Sequence, residues 1–593
     1  MTRYEKHTSK DGFTMKVWRG ERMCLLGFDV EAPEEDFVGF AIECKSPGAS
    51  TYTPLYNRLA FSYDRAAGEH VDGNRNFPST AAPFQKFRWI HFPWEVKKGL
   101  YSYRATKMHM PVDDQLKKGT SLTLDLSLDP MTYHNFLDVG FTRNFASSQA
   151  FVDKMGNPKD INKAGGALIP SASDTGLEFK KAPGDIYSWM GFEAYDLIFG
   201  FLDDALQDSK VTLDVFAYDF NEPDILQKLE AFGPRLRAIF DDSGGQDSKG
   251  NVTGHVTPDS PESKAAERLR ESAGADKITR THFKGLQHNK VFIARRNGIP
   301  TKVLCGSTNF SYRGLYIQAN NVLVFDDKEI AALFGNYFDI AFVDTDGFTA
   351  TDLASKWQLT KKEGRPPVHF CFAPHKNTDL SLQPLQGAIA QASSSVLYAV
   401  AFLYQMGPGL TKDEFDRLMN RPVFSYGISD KGGSLEVNKP DGSVALVDFK
   451  YLADHAPEPF KSEWSGGAGI NIHDKFVVTD FNLPTAKVFT GSSNLSPSGE
   501  HDNGDHMIMI EDQRVATAYA IEALRVFDHL HFRSVMQAAS KKSNAAQSET
   551  SQLDILKLQK PKKISGANEN WFESSYVAGS QKENDRKIFA GIE

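Results

Sequence analysis

One short pattern occurs twice in this chain of 593 residues, and it restricts both the folds and the chemistry open to it. The first copy is Gln287-His288-Asn289-Lys290-Val291-Phe292-Ile293-Ala294, closing at Gly306-Ser307-Thr308-Asn309. The second is Ile472-His473-Asp474-Lys475-Phe476-Val477-Val478-Thr479, closing at Gly491-Ser492-Ser493-Asn494. In each, Lys follows His by two places, and the Gly of Gly-Ser-x-Asn stands 18 residues after that His. A lone His-x-Lys is a common strand end. The same turn at the same offset, twice, marks an internal duplication. Similar strand and helix patterns precede both copies.

The residue types define the chemistry. Imidazole is nucleophilic and changes charge near neutral pH. Lys supplies positive charge for an anion. The Asn amide and the backbone donors of a Gly-Ser turn hold further oxygens. Two such sets facing each other would grip one phosphodiester, one His attacking phosphorus while the other protonates the leaving oxygen. The candidate catalytic residues are therefore His288, Lys290 and Asn309 with His473, Lys475 and Asn494. No metal or cofactor is expected, because two Lys and two Asn suffice in principle to stabilise the developing charge.

The paired pattern resembles the two motifs of the phospholipase D superfamily, whose order is His-x-Lys, four residues, Asp, then Gly-Ser-x-Asn. The second copy keeps that order with Asp480, whereas Arg295 takes the Asp place in the first. Both copies carry about four extra residues before the Gly, which read as longer hairpin turns. The resemblance spans residues 185 to 535. It implies two tandem αβ domains related by a pseudo-twofold axis. It also implies a covalent phosphohistidine, with His288 the nucleophile and His473 the general acid and later the base. In the family the Asp at the place of Asp480 is a supporting residue, and an acidic residue downstream of Gly-Ser-x-Asn orients a His. Asp505 falls near that downstream place in the second copy, and Asn320 stands at the same offset in the first. The halves are thus not equivalent, since a carboxylate favours the protonated imidazole and an amide only orients it. Ser307 and Ser492 of the turns complete the supporting set.

Around this centre the chain divides by pattern. Residues 1–130 alternate as strands with few helix signals, which predicts a β-sandwich accessory domain. Residues 131–184, with Gly165-Gly166 and Ser171-Ala172-Ser173, read as a connecting region. Helix and strand alternate over 185–350 and again over 365–535, giving the two α/β domains. Arg295 and Arg296 read as a solvated turn beside Asn297-Gly298, a strong hairpin cue. His282 is a possible substrate contact. The loop from Asp430 to Gly469, with Trp464, either shapes access to the site or is a surface excursion. Residues 539–593 read as a polar tail, part of which docks back through Trp571, Phe572 and Tyr576.

Net charge is −9, which argues against a general grip on nucleic acid. The expected partner is a phospholipid substrate at a membrane surface, with a nuclease of the same superfamily as the alternative. Retention of both His, both Lys and both Asn disfavours a non-catalytic phosphate-binding scaffold. Both half-sites lie in one chain, so a monomer is expected. The four Cys lack metal-ligand spacing and read as buried free thiols. The polar N-terminus has no apolar signal core, and the run Val396–Tyr404 is too short to span a bilayer. These features predict a protein that is cytoplasmic or exported without a cleaved signal peptide.

Overall fold

A computed structural model describes the chain except residues 1–3, 64–75, 131, 148–149, 152–176, 178–180, 182–183, 402, 404–408, 419, 432–433, 440–443, 449–471, 545–555 and 593. Gly165-Gly166, Ser171-Ala172-Ser173 and Trp464 lie outside the described residues.

The N-terminal strands are β1 (Glu5–Lys10), β2 (Phe13–Arg19), β3 (Cys24–Val30), β4 (Phe37–Lys45), β5 (Arg88–His91), β6 (Leu100–His109) and β7 (Lys117–Ser127). They form two antiparallel sheets, β1-β2-β3-β5 and β7-β6-β4, the second extended by Thr53–Pro54. Phe13, Met15 and Val17 of β2 share one apolar core with Phe40, Ile42, Tyr103 and Leu122 of the other sheet. Strand β1 escapes sequence reading because it is polar and lies at an edge.

A seven-stranded sheet follows. Its strands are β8 (Leu137–Phe141), β9 (Val211–Ala217), β10 (Leu236–Phe240), β11 (Ile278–Arg280), β12 (Val291–Arg296), β13 (Ile299–Gly306) and β14 (Asn321–Phe325). Their order is β8-β14-β13-β12-β9-β10-β11. A nine-stranded sheet comes next, from β15 (Gln358–Thr360), β16 (Val368–Ala373), β17 (Ser395–Val400), β18 (Phe424–Lys431), β19 (Ser434–Asn438), β20 (Val444–Asp448), β21 (Lys475–Thr479), β22 (Lys487–Gly491) and β23 (Asp505–Ile510). Its order is β15-β16-β23-β22-β21-β17-β18-β19-β20. The run β8-β14-β13-β12-β9-β10 and the run β16-β23-β22-β21-β17-β18 match strand for strand. Each has four antiparallel pairings and then one parallel pairing, β9 with β10 and β17 with β18.

Helices α1 (Ile186–Gln207), α2 (Pro223–Phe232), α3 (Pro261–Ala273), α4 (Tyr312–Tyr316) and α5 (Lys328–Val343) accompany the first sheet. Pro223 and Pro261 open α2 and α3, where a missing N–H costs nothing. With the second sheet go α6 (Asp379–Gln391), α7 (Leu410–Leu418), α8 (Pro497–Asp502) and α9 (Gln513–Asn544). The helix that follows each sheet's last strand ties the two sheets together. Phe334 of α5 packs edge-on against Phe370 and Phe372 of β16, and Tyr519 of α9 against Phe141 of β8 and Phe476 of β21.

Two expectations need correction. Leu137–Phe141, within the stretch read as connecting, is the edge strand of the seven-stranded sheet; five residues are too few for alternation to register. The described residues of the polar tail are also more ordered than their composition suggests, and the docking expected through Trp571, Phe572 and Tyr576 is present. Helix α9 runs on to Asn544, and α10 (Gln581–Ala590) packs on β3. Phe572 enters the N-terminal core, Trp571 and Tyr576 pack beside it, and Trp18 Nε1 donates to Phe589 O at 2.8 Å. A few aromatic side chains thus outweigh a polar average. All four Cys are buried and free. Among the described residues, no helix is long and apolar enough to cross a membrane.

Candidate active site

Each His-x-Lys leads into a central strand, β12 or β21, and each Gly-Ser-x-Asn leaves the next strand, β13 or β22. Gly306 and Gly491 have φ of 139° and 137°, and a Cβ there would sit 2.5 Å from Asn321 O and 2.3 Å from His506 O. Only glycine lets these turns close against the neighbouring strand. The motifs therefore meet at the ends of paired strands, with His288 3% and His473 4% exposed.

The two halves support each other crosswise. His288 N donates to Gly504 O at 2.9 Å, and His473 N to Ala319 O at 3.1 Å. His288 Nδ1 lies 2.8 Å from Asp505 Oδ1, and His473 Nδ1 lies 2.9 Å from Asn320 Oδ1. Ser492 Oγ donates to Asp505 at 2.7 Å and Ser307 Oγ to Asn320 at 2.9 Å. The middle residues cross as well. Asn289 Oδ1 lies 2.8 Å from His506 Nδ1, and Asn321 Nδ2 donates to Asp474 at 3.0 Å. With Nδ1 of each motif histidine directed at an acceptor, each Nε2 is left with its lone pair.

Two buried ammoniums lie in this site, with the carboxylates of Asp505, Asp219 and Asp241 acting on Lys290. Lys290 Nζ donates to His288 O, and Lys475 Nζ to His473 O at 2.8 Å. Neither ammonium forms an ion pair among the described residues. Burial pushes Lys290 down to about 8, against the pull of Asp505, Asp219 and Asp241. Burial and Lys290 hold Lys475 well below its ordinary value. Burial, Lys475, Lys290 and His288 lower His473 strongly; burial and Lys290 lower His288, with Asp505 opposing. Burial raises Asp505, but His288, Lys290 and Ser492 outweigh it and keep the carboxyl ionised. Among the described residues, Asn309 Oδ1 and Asn494 Oδ1 have no hydrogen-bond partner. An incoming anion would favour the protonated form of both Lys and both His at once.

The remaining expected residues sit further out. Asp480 Oδ1 caps the backbone N–H groups of Ser393, Ser394 and Ser395 at 3.0, 2.7 and 3.2 Å, a purely supporting place. Arg295 is not part of a solvated turn. It lies in β12 with its guanidinium 2.5 Å from buried Asp214 and 2.9 Å from Asp339, because a buried carboxylate requires a cation. Asn297 and Gly298, both at positive φ, make the tight turn. His282 is 2.6 Å from Asp242 and lines a cavity of about 440 Å³ with Tyr218, His255 and Lys284.

Sequence reading missed a cluster at the ends of β9 and β10. Tyr218 and Asp219 follow β9, and Asp241 follows β10. Polar residues just past the carboxyl ends of parallel strands were the available signal. Tyr218 packs edge-on to His288 at 4.7 Å between centroids. Asp241 Oδ1 accepts from Gln287 N at 2.7 Å, fixing the approach to His288. Asp219 Oδ2 accepts from Asn309 Nδ2 at 2.8 Å. His255 bridges Asp241 and Asp219. Asp219, His255 and Glu262 place donor atoms within 4.8 Å of one another, a spacing that could hold a metal ion. Both nitrogens of His255 already face carboxylates.

The family model described as "cardiolipin synthase, PLD-like domain" matches residues 202–341. Those residues therefore match a phospholipase D-like domain. No curated protein matches the chain. Among solved structures, the chain is similar to phosphatidylserine synthase of Haemophilus influenzae Rd KW20, with 13% identity, 56% of this chain and 84% of that one covered, and a TM-score of 0.39. It is also similar to the phospholipase D family member Nuc of Salmonella typhimurium, with 22% identity, 24% and 84% covered, and a TM-score of 0.17. Yeast tyrosyl-DNA phosphodiesterase matches with 10% identity, 52% and 84% covered, and a TM-score of 0.29.

Proposed function

We propose that this chain is a metal-independent phosphodiesterase acting through a phosphohistidine, and that its substrate is a phospholipid. The observation that carries the reading is the crossed pairing, His288 with Asp505 and His473 with Asn320, inside one buried electropositive site. We read residues 185–350 and 365–535 as tandem domains about a pseudo-twofold axis, and residues 1–130 as a β-sandwich that seats the enzyme on a lipid surface. One chain holds both half-sites, so a monomer suffices.

In this mechanism His288 Nε2 attacks phosphorus as the bond to the leaving oxygen breaks. His473 gives its Nε2 proton to that oxygen. Lys290, Lys475, Asn309 and Asn494 hold the equatorial oxygens, whose charge keeps His473 protonated despite burial. Water then gives its proton to His473 and attacks phosphorus, the P–N bond breaks, and a phosphomonoester leaves. An alcohol in place of water gives transfer.

Depth of burial supports a flexible diester over duplex nucleic acid, because a rigid duplex presents its phosphates to surfaces. The test is a panel of phospholipids and single- and double-stranded nucleic acids, assayed with chelator. Head-group release that resists chelator and disappears in His288→Ala is expected. Cleavage of nucleic acid alone would transfer the assignment to a nuclease, and loss of all turnover on metal removal would refute the mechanism.

A further inference from the structure

We propose that His255 is a positioning residue, a fixed imidazolium that neutralises Asp219 and through it orients the Asn309 amide towards the phosphate. The inference rests on the phosphodiesterase reading and names what controls the first half of that site.

His255 Nδ1 lies 2.8 Å from Asp241 Oδ2, and its Nε2 lies 3.1 Å from Asp219 Oδ1 and 3.9 Å from Glu262 Oε1. A carboxylate only accepts, so a ring bonded to one at each nitrogen carries both protons. Those two bonds outweigh burial and push His255 up to about 10, while Asp219 and Asp241 are held below their ordinary values. The charged groups facing the ring are Asp219, Asp241 and Glu262, with Arg280 donating to the His255 backbone oxygen at 2.6 Å. Tyr218 covers one side, with centroids 4.8 Å apart, and its opposite neighbours are His288 and Lys290.

The consequence runs through Asp219. Its second oxygen accepts from Asn309 Nδ2, which pins the amino group and sets which way the amide points. Without the imidazolium, Asp219 loses its hydrogen-bonded cation and keeps only the pull of Lys290 and Arg313, while still in direct contact with a residue that grips an anion. Repulsion then opposes substrate binding. The same cluster could take a metal ion only by displacing the Nε2 proton.

The test compares His255→Gln, which keeps hydrogen bonding without charge, with His255→Arg, which keeps charge. Full-length proteins are assayed on a chromogenic phosphodiester, reading kcat and KM separately, with inorganic phosphate as inhibitor and Tm as a control. His255→Gln should raise KM and the phosphate inhibition constant about tenfold, the scale of one charge-assisted hydrogen bond, with a smaller change in kcat. His255→Arg should restore most of the phosphate affinity. Adding Asp219→Asn to His255→Gln should also restore it, because the repelling charge is gone. Loss of Tm with unchanged KM and phosphate inhibition, or no difference between Gln and Arg, overturns the proposal. So does zinc ion inhibiting the wild type but not His255→Gln, which would assign the cluster to a metal. His288→Ala runs alongside. If it retains turnover, the phosphodiesterase reading itself fails; if it is inactive while His255→Gln behaves as wild type, only the role of His255 fails.

Discussion

Asn320→Asp would place at His473 the partner that His288 already has. The new carboxylate would lie 2.9 Å from His473 Nδ1, at a position fully buried from solvent. A unit charge pair at 4 Å with an effective dielectric constant of about 20 interacts by about 4 kcal/mol. Burying the new carboxylate consumes part of that, and measured neighbours of this kind raise an imidazole by about 1–3 pKa units. His473 must be protonated to act as the acid, so activity falls as pH rises through its value. The alkaline limb of kcat/KM should therefore move up by about 1–3 units. There is a stability cost: Asn320 Nδ2 donates to Gly314 O at 2.8 Å, and Asp would set two oxygens against each other there. That loss should be about 1–3 kcal/mol in denaturant unfolding. A folded Asn320→Asp enzyme whose alkaline limb stays in place would refute the assignment of His473 as acid.

Three further outcomes follow from the same geometry. His473→Ala should slow the first step on esters with poor leaving groups by about 10²–10⁴-fold while largely sparing the burst of nitrophenolate from a nitrophenyl ester, which leaves without a proton; equal losses in both would contradict the general-acid role. Burial holds His506 down to about 3, below its unfolded value near 6.5, so the stability it permits is complete above about pH 6.5 and declines as pH falls from there. Thermal unfolding from pH 7 to 4 should show a loss that His506→Gln reduces, and identical slopes would dissociate His506 from it. Phe572→Ala, at a site 5% exposed in the N-terminal core, should cost about 3–5 kcal/mol by equilibrium denaturation, and a neutral result would mean that the C-terminal segment does not pack there.

The elements legible in the sequence were those with their own periodicity or caps. Strands such as Leu236–Phe240 and helices opened by Pro223 and Pro261 carry local instructions, and the duplicated motifs named both imidazoles and both ammoniums. Which support residue serves which His was not legible, because Asp505 and Asn320 act 217 and 153 residues away in sequence. His255 was invisible for a related reason. It stands in a Gly-rich loop where the neighbouring charges follow no strand or helix spacing, and its partners come from the ends of β9 and β10. Arg295 misled because a charged residue beside a turn usually faces water, whereas here it answers a buried Asp214.

The crossed partnerships also bear on why the two copies are fused. A dimer of identical subunits would have to give both imidazoles the same companion, since one gene writes both sides. Fusion removes that constraint: one copy can acquire an amide and the other keep a carboxylate, so the two imidazoles can differ in companion. Cut between the sheets, neither fragment would own a finished centre, and mixing the pieces should regenerate both at once.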